Sequence, residues 1–101
     1  MTYVTLDEAK AQVSIEIDNT SHDDRLTRLI TAAETWAKNF LNADLEDYEL
    51  SGESPPALPE DIKSALLLHI EIEFDRDERN FELLLKRAHD MLWPYRTGLE
   101  V

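Results

Sequence analysis

Three histidines and a large number of carboxylates are the residues of this sequence that could bind metal or transfer protons. His69 and Glu73 are spaced by one helical turn, so they could share a metal ion. No third ligand has a diagnostic spacing, the HExxH pattern is absent, and there is no cysteine to supply a thiolate. We therefore interpret His69 as a histidine on an apolar helix face, with a metal site at these two residues as the alternative.

The carboxylates do not single out an acid–base pair. With 22 Asp and Glu residues in a chain of 101, some must lie close together, so no pair stands out as a general acid and base. Two glycines are too few for a glycine-rich phosphate loop, and the basic residues form no stripe that could follow a nucleic acid. The sequence predicts a protein that is not an enzyme and has no catalytic residue, metal or cofactor.

Length and net charge define the class of protein to which these residues belong. A chain of 101 residues, 43% of them hydrophobic, predicts one globular domain spanning 1–101. The net charge of −12 disfavours binding to a phosphate backbone and fits a protein past which DNA can slide. No apolar run approaches the ~20 residues that a membrane helix needs, so we expect no membrane contact.

Four helices are predicted to position the side chains. Thr5 and Glu8 form a capping box that starts the first helix, and the alternation of apolar and polar residues over 13–17 indicates a brief extended segment after it. Ser21 is the predicted N-cap of the second helix. This helix has one apolar stripe, and the place of Trp36 in the stripe predicts a core residue.

Prolines mark the boundaries of the last two helices, and an acidic loop precedes them. Pro59 suits the first position of the third helix, which is apolar over most of its circumference. Pro94 ends the fourth, because the residue before a proline is pushed out of helical geometry. Residues 42–58 contain no Lys or Arg, and a short hairpin is possible around Tyr48 and Leu50. We predict a mainly α fold, a small bundle of about four helices with this long acidic loop between helices two and three.

The C-terminal segment 93–101 combines residue types that favour protein contacts. Trp93, Tyr95 and Arg96 lie within four positions of one another, where the last helix must stop. Trp, Tyr and Arg are enriched at binding hot spots because they bury large areas with few rotatable bonds or with planar hydrogen-bonding groups. We interpret 93–101 as an exit segment or docking arm. The alternative for Trp93 and Tyr95 is packing back onto the core.

The order of the motifs is more informative than any one of them. The segments in question are VTLDEAK (4–10), IEID (15–18), LPEDIKSALLL (58–68), FDRD (74–77) and LWPYR (92–96). Together they resemble the head–tail connector, or head-completion adaptor, family of long-tailed double-stranded DNA phages and prophages. The resemblance extends over nearly the whole chain.

The resemblance implies a structural virion protein. Members of this family are small, mainly helical subunits that assemble into a ring of about a dozen copies under the portal. The ring extends the DNA channel, lets DNA pass without specific binding, and receives the next head-completion or tail protein. The implied location is the head–tail interface of the virion, with the bacterial host cytoplasm during assembly. The alternative from the charge alone is a small acidic regulatory or inhibitory protein that mimics DNA.

Three sets of residues follow as candidates within such a ring. The candidates for contact with the portal or a sister subunit are Trp93, Tyr95, Arg96 and Leu99. The candidates for the subunit–subunit interface are Leu67, Ile72, Arg76 and Arg79. The acidic candidates for the wall of the DNA channel are Glu46, Asp47, Glu49 and Glu53.

Overall fold

The fold is helical throughout the part of the chain that the structure describes. A computed structural model describes residues 3–50, 52, 57–75 and 78–95, apart from the side chains of 75 and 78–80. Its α-helices are α1 (Leu6–Gln12), α2 (Asp23–Leu41), α3 (Glu60–Asp75) and α4 (Glu78–Leu92). Two 3₁₀ segments complete it, which we name the acidic turn (Leu45–Tyr48) and the exit turn (Trp93–Tyr95). No strand occurs in these ranges, so the predicted mainly α fold of about four helices is confirmed.

Helix α1 begins with the predicted capping box. The Glu8 N–H donates to Thr5 Oγ1 at 3.1 Å, and the Thr5 N–H donates to Glu8 Oε1 at 2.9 Å. An ion pair between Glu8 and Lys63 ties the start of α1 to α3. Partial burial acts to raise the pKa of Glu8, but the hydrogen bonds from Lys63 and Thr5 outweigh it, so the pKa is lowered.

The segment after α1 turns instead of extending, so the prediction for 13–17 is wrong. Ser14 has a φ of 63°, in the left-handed region, and the Ile15 N–H donates to the Lys10 carbonyl at 2.8 Å. The reversal brings the following loop back over Lys10, whose side chain is only 3% exposed. The Lys10 ammonium lies 2.9 Å from Asp23 Oδ1 and donates to the Ile17 carbonyl at 2.8 Å.

Helix α2 packs one stripe against the core and ends at Leu41, after which Asn42 caps it in the left-handed conformation. The prediction of Ser21 as its cap is wrong, because His22 occupies the capping position and makes no side-chain capping bond. Ser21 belongs to the preceding turn, where its N–H donates to Asn19 Oδ1 at 3.0 Å. The buried stripe of α2 consists of Leu26, Ile30, Ala33, Ala37 and Leu41.

Helix α3 lies at the centre of the bundle and packs against α1, α2 and α4. This position explains its nearly continuous apolar surface, because three of its sides face other helices. The fully buried side chains of α3 are Ile62, Ala65, Leu66 and Ile70.

The acidic loop contains a 3₁₀ turn where the sequence allowed a hairpin. Residues 45–48 form the acidic turn, and Leu45 anchors it in the core with 6% of its surface exposed. Further along, the Leu50 N–H donates to the Ala57 carbonyl at 2.8 Å, which draws the two described ends of the loop together. Isolated bonds of this kind close a loop without forming a ladder of paired strands.

Candidate assembly interface

The exit turn places one of the two tryptophans at the surface. Helix α4 ends at Leu92, two residues before the proline that was predicted to end it, and the Trp-Pro-Tyr turn follows. Trp93 is 52% exposed, although one side of its ring lies near Phe40, with 6.4 Å between the ring centroids. A half-exposed tryptophan at the end of a helix has a large apolar area available for a partner protein.

Tyr95 differs from Trp93 because it is held within the subunit. Its ring meets Tyr48 edge-on at 6.0 Å, and the Tyr48 hydroxyl donates to the Tyr95 carbonyl. The Tyr95 hydroxyl lies 3.5 Å from Asp61 Oδ2, at the long limit of a hydrogen bond. Tyr95 thereby fixes the exit turn against the acidic turn and α3. The other two predicted contact residues, Arg96 and Leu99, lie outside the described residues.

A series of stacked rings connects the exit turn to the core. His69 stacks on Trp36 with 4.4 Å between centroids, and His89 stacks on Phe40 at 4.6 Å. Trp36 and His89 are 5.5 Å apart, which joins the two pairs into one cluster, and Trp93 lies at its outer end. We name these five residues the aromatic stack. The rings come from α2, α3, α4 and the exit turn, so the stack couples the surface tryptophan to the core.

His69 is the buried titratable group of the aromatic stack. It is 8% exposed, and its Nδ1 atom has no hydrogen-bond partner in the described structure. Burial lowers the pKa of His69 below its usual 6.5, because charging the ring would cost desolvation energy. The charge of Glu73 acts to raise the pKa of His69, and His89 acts to lower it further. Within the described ranges, no three His, Asp or Glu side chains converge to hold a metal ion.

The acidic candidates divide by exposure. Glu46 and Asp47 project from the acidic turn and are exposed. Glu49 is half-buried and accepts a hydrogen bond from the Tyr3 hydroxyl, and burial together with this bond raises the pKa of Tyr3. Glu53 lies outside the described residues. The acidic turn therefore presents Glu46 and Asp47 to solvent.

The subunit-interface candidates also differ in position. Leu67 is half-buried in a groove of about 360 Å³ between α1, α3 and α4. Ile72 is 3% exposed, so its side chain packs inside the subunit and offers a neighbour little surface. Arg76 and the side chain of Arg79 lie outside the described residues.

The two most exposed large apolar residues of the described structure were not among the sequence candidates. Ile17 is 65% exposed in the loop after α1, and Leu83 is 68% exposed on α4. Leu83 could have been found from the helical period, since it lies away from the stripe formed by Leu84, Ala88 and Leu92. The exposure of Ile17 could not be found in this way. It follows from the turn at Ser14, and the sequence had predicted an extended segment there.

Comparison with known protein families gives a match over nearly the whole chain. The family model described as phage gp6-like head-tail connector protein matches residues 3–96, nearly the whole chain. Searches of curated proteins and of solved structures returned no match. None of the helices in the described ranges is long and apolar enough to cross a bilayer.

Proposed function

This chain belongs to the phage gp6-like head–tail connector family, and from that membership we propose that it forms a ring under the portal of a phage capsid. The family role is structural, within the virion, and the family is not one of enzymes. In our proposal the ring contains about a dozen copies. It extends the DNA channel and receives the next head-completion or tail protein.

The family match over residues 3–96 is the observation that carries this proposal. The helical fold of the described residues agrees with the subunit that the family implies. A ring of many copies would require two different contact surfaces on each subunit. The match also favours a connector over a DNA-mimicking inhibitor, an alternative that was based on the net charge of −12 alone. We propose that the subunits assemble in the host cytoplasm before they reside at the head–tail interface.

We assign Trp93 to a protein contact of the assembly. Its ring is exposed, and Arg96 and Leu99 follow it closely in the sequence, so we include them in the same contact with the portal or a sister subunit. Tyr95 contributes by fixing the exit turn, through the bonds to Tyr48 and Asp61. An aromatic side chain held on a fixed turn loses little conformational entropy when it binds.

We assign the exposed carboxylates of the acidic loop to the wall of the channel. Glu46 and Asp47 are exposed on the acidic turn, and Glu49 and Glu53 belong to the same loop. A ring of such loops would repel the phosphate backbone, so DNA could slide past without being held. Leu67, in its groove beside α4, together with Arg76 and Arg79, remains our proposal for a further subunit contact.

Native mass spectrometry of the purified chain tests this function directly. The expected result is a closed species near a dozen copies, either alone at high concentration or after addition of the portal ring of the same phage. A chain that stays monomeric and does not bind the portal would refute the proposal.

A pair of matched variants then tests the contact at the exit turn. Trp93→Ala should abolish assembly or portal binding while the helical circular dichroism spectrum stays unchanged. Leu50→Ala is the control, because Leu50 is also an exposed large apolar residue, at 44%, and belongs to the acidic loop and not to the exit turn. Equal loss of assembly in the two variants would refute a specific role for Trp93.

A further inference from the structure

We propose that two copies of this chain meet through Ile17 of one copy and the outer face of α4 of the next, around Leu83 and Arg87. This inference rests on the proposed ring and names the surfaces that would join its subunits. Ile17 and Leu83 are the most exposed large apolar side chains of the described structure, at 65% and 68%. An exposed apolar side chain of this size contributes binding free energy when a partner buries it.

The charges around the two apolar residues are of opposite sign. Glu16 and Asp18 flank Ile17 in the sequence, both are exposed, and neither forms an ion pair within the described ranges. The two copies of a protein with a net charge of −12 repel each other, so a local patch of positive charge on one side favours a contact between them. The loop around Ile17 provides the acidic partner for such a patch.

The outer face of α4 provides positive charge through Arg87. Leu83, Lys86, Arg87 and Asp90 line a groove of about 300 Å³ on this face, and Arg87 is the cation there that Asp90 does not pair with. Lys86 forms an exposed ion pair with Asp90 at 3.3 Å, which is worth little in water. Arg87 is exposed and has no ion pair or hydrogen bond in the described part of the chain. An apolar centre with cations at its edge is complementary to an apolar side chain flanked by carboxylates.

The loop that carries Ile17 is held in a fixed shape. The buried ammonium of Lys10 donates to the Ile17 carbonyl at 2.8 Å and pairs with Asp23 at 2.9 Å. The Asn19 N–H donates to the Glu16 carbonyl at 3.0 Å, which closes a turn around Ile17. Burying a lysine is costly unless its charge is satisfied, and here that charge fixes an exposed loop. A loop that is ordered before binding loses less entropy on association.

The contact joins two different surfaces, so it is heterologous. Such a contact produces a ring when the rotation between copies closes, and a dimer if two copies exchange the same pair of surfaces. A dimer that the variants of these two surfaces disrupt would therefore support this contact and refute the ring.

Charge reversal tests the pairing in the full chain. Sedimentation velocity is measured on the wild type and on Asp18→Lys, Arg87→Glu and the double variant Asp18→Lys/Arg87→Glu, over a wide concentration range. We expect each single variant to weaken self-association by about tenfold or more. The double variant restores the wild-type net charge and should restore self-association. Arg28→Glu is the matched control, because Arg28 is an exposed arginine on α2.

Apolar variants provide a readout that does not depend on charge. Leu83→Ser and Ile17→Ser should each weaken self-association by about tenfold, with the helical spectrum retained, because both side chains are exposed in the isolated subunit.

Three outcomes would contradict the proposed contact. If the wild type assembles and the four single variants of the two surfaces assemble equally well, this contact is overturned and the ring is left intact. A wild-type chain that never self-associates would also overturn it. If Leu83→Ser assembles normally but no longer binds the portal, the α4 face belongs to the portal and the assignment to a second copy is wrong.

Discussion

The two tryptophans occupy different positions in the aromatic stack, Trp36 among three other rings and Trp93 at the outer end. Trp36 is half-buried, packs against the core and stacks on His69 at 4.4 Å. Trp93 is 52% exposed and meets the rest of the stack through Phe40, at 6.4 Å. The residue type is the same, so position alone separates a tryptophan that stabilises the fold from one that is available to a partner. Replacing each tryptophan with alanine should therefore change the stability of the subunit by different amounts.

The largest expected effect is on the stability of the subunit when Trp36 is removed. Trp36→Ala should lower the free energy of unfolding by about 3 kcal/mol, because it leaves a cavity beside His69 and the core. Trp93→Ala should lower it by less than about 1 kcal/mol, since half of that side chain is already in water. Urea unfolding followed by circular dichroism at 222 nm measures both.

The comparison fails if the two truncations cost the same. A loss near 3 kcal/mol for Trp93→Ala would mean that the exit turn belongs to the core and that its exposed ring is incidental. Phe40→Leu is an informative intermediate, because Phe40 stands between the two tryptophans and contacts Trp93 and His89. Its cost should lie between those of the two truncations.

The sequence predicted the core end of the stack better than the surface end. Helical periodicity assigned Trp36 to the apolar stripe of α2, because a long regular helix repeats one signal many times. Trp93 and Tyr95 were predicted together as contact residues, yet Tyr95 bonds to Tyr48 and Asp61. Those partners lie 47 and 34 positions away, and local sequence carries no information on such long-range bonds.

The loop after α1 shows the same limit at shorter range. Alternation over 13–17 predicted an extended segment, but the chain turns at Ser14 with a φ of 63°. The turn is stabilised from outside the pattern, by the Lys10 ammonium under the Ile17 carbonyl. A buried lysine is not expected from its residue type, so neither the turn nor the exposure of Ile17 could be predicted from it.

A smaller effect should follow from releasing the exit turn. Tyr48→Phe removes the hydroxyl that donates to the Tyr95 carbonyl and should cost about 1 kcal/mol of unfolding free energy. Tyr95→Phe removes a contact of 3.5 Å to Asp61 and should cost less than about 0.5 kcal/mol. Thermal unfolding of the two variants, which each lose one hydroxyl, gives the comparison. If Tyr95→Phe is the more damaging, the turn is fixed at α3 and not at the acidic turn.

The smallest effect is confined to acid pH and arises at the buried end of the stack. The pKa of His69 is lowered in the folded state, so below about pH 6.5 the unfolded chain takes up a proton that the folded chain does not. Stability is therefore fully present above pH 6.5 and falls as the pH drops toward the lowered pKa of the folded state. His69→Phe keeps a stacked ring on Trp36 and removes the titration, so its unfolding free energy should decline less between pH 7 and pH 5. His22→Gln controls for the loss of a histidine outside the stack. If the unfolding free energy falls equally with pH in the wild type and in His69→Phe, then His69 is hydrated in solution. The contrast between the buried His69 and the exposed Trp93 would then be lost.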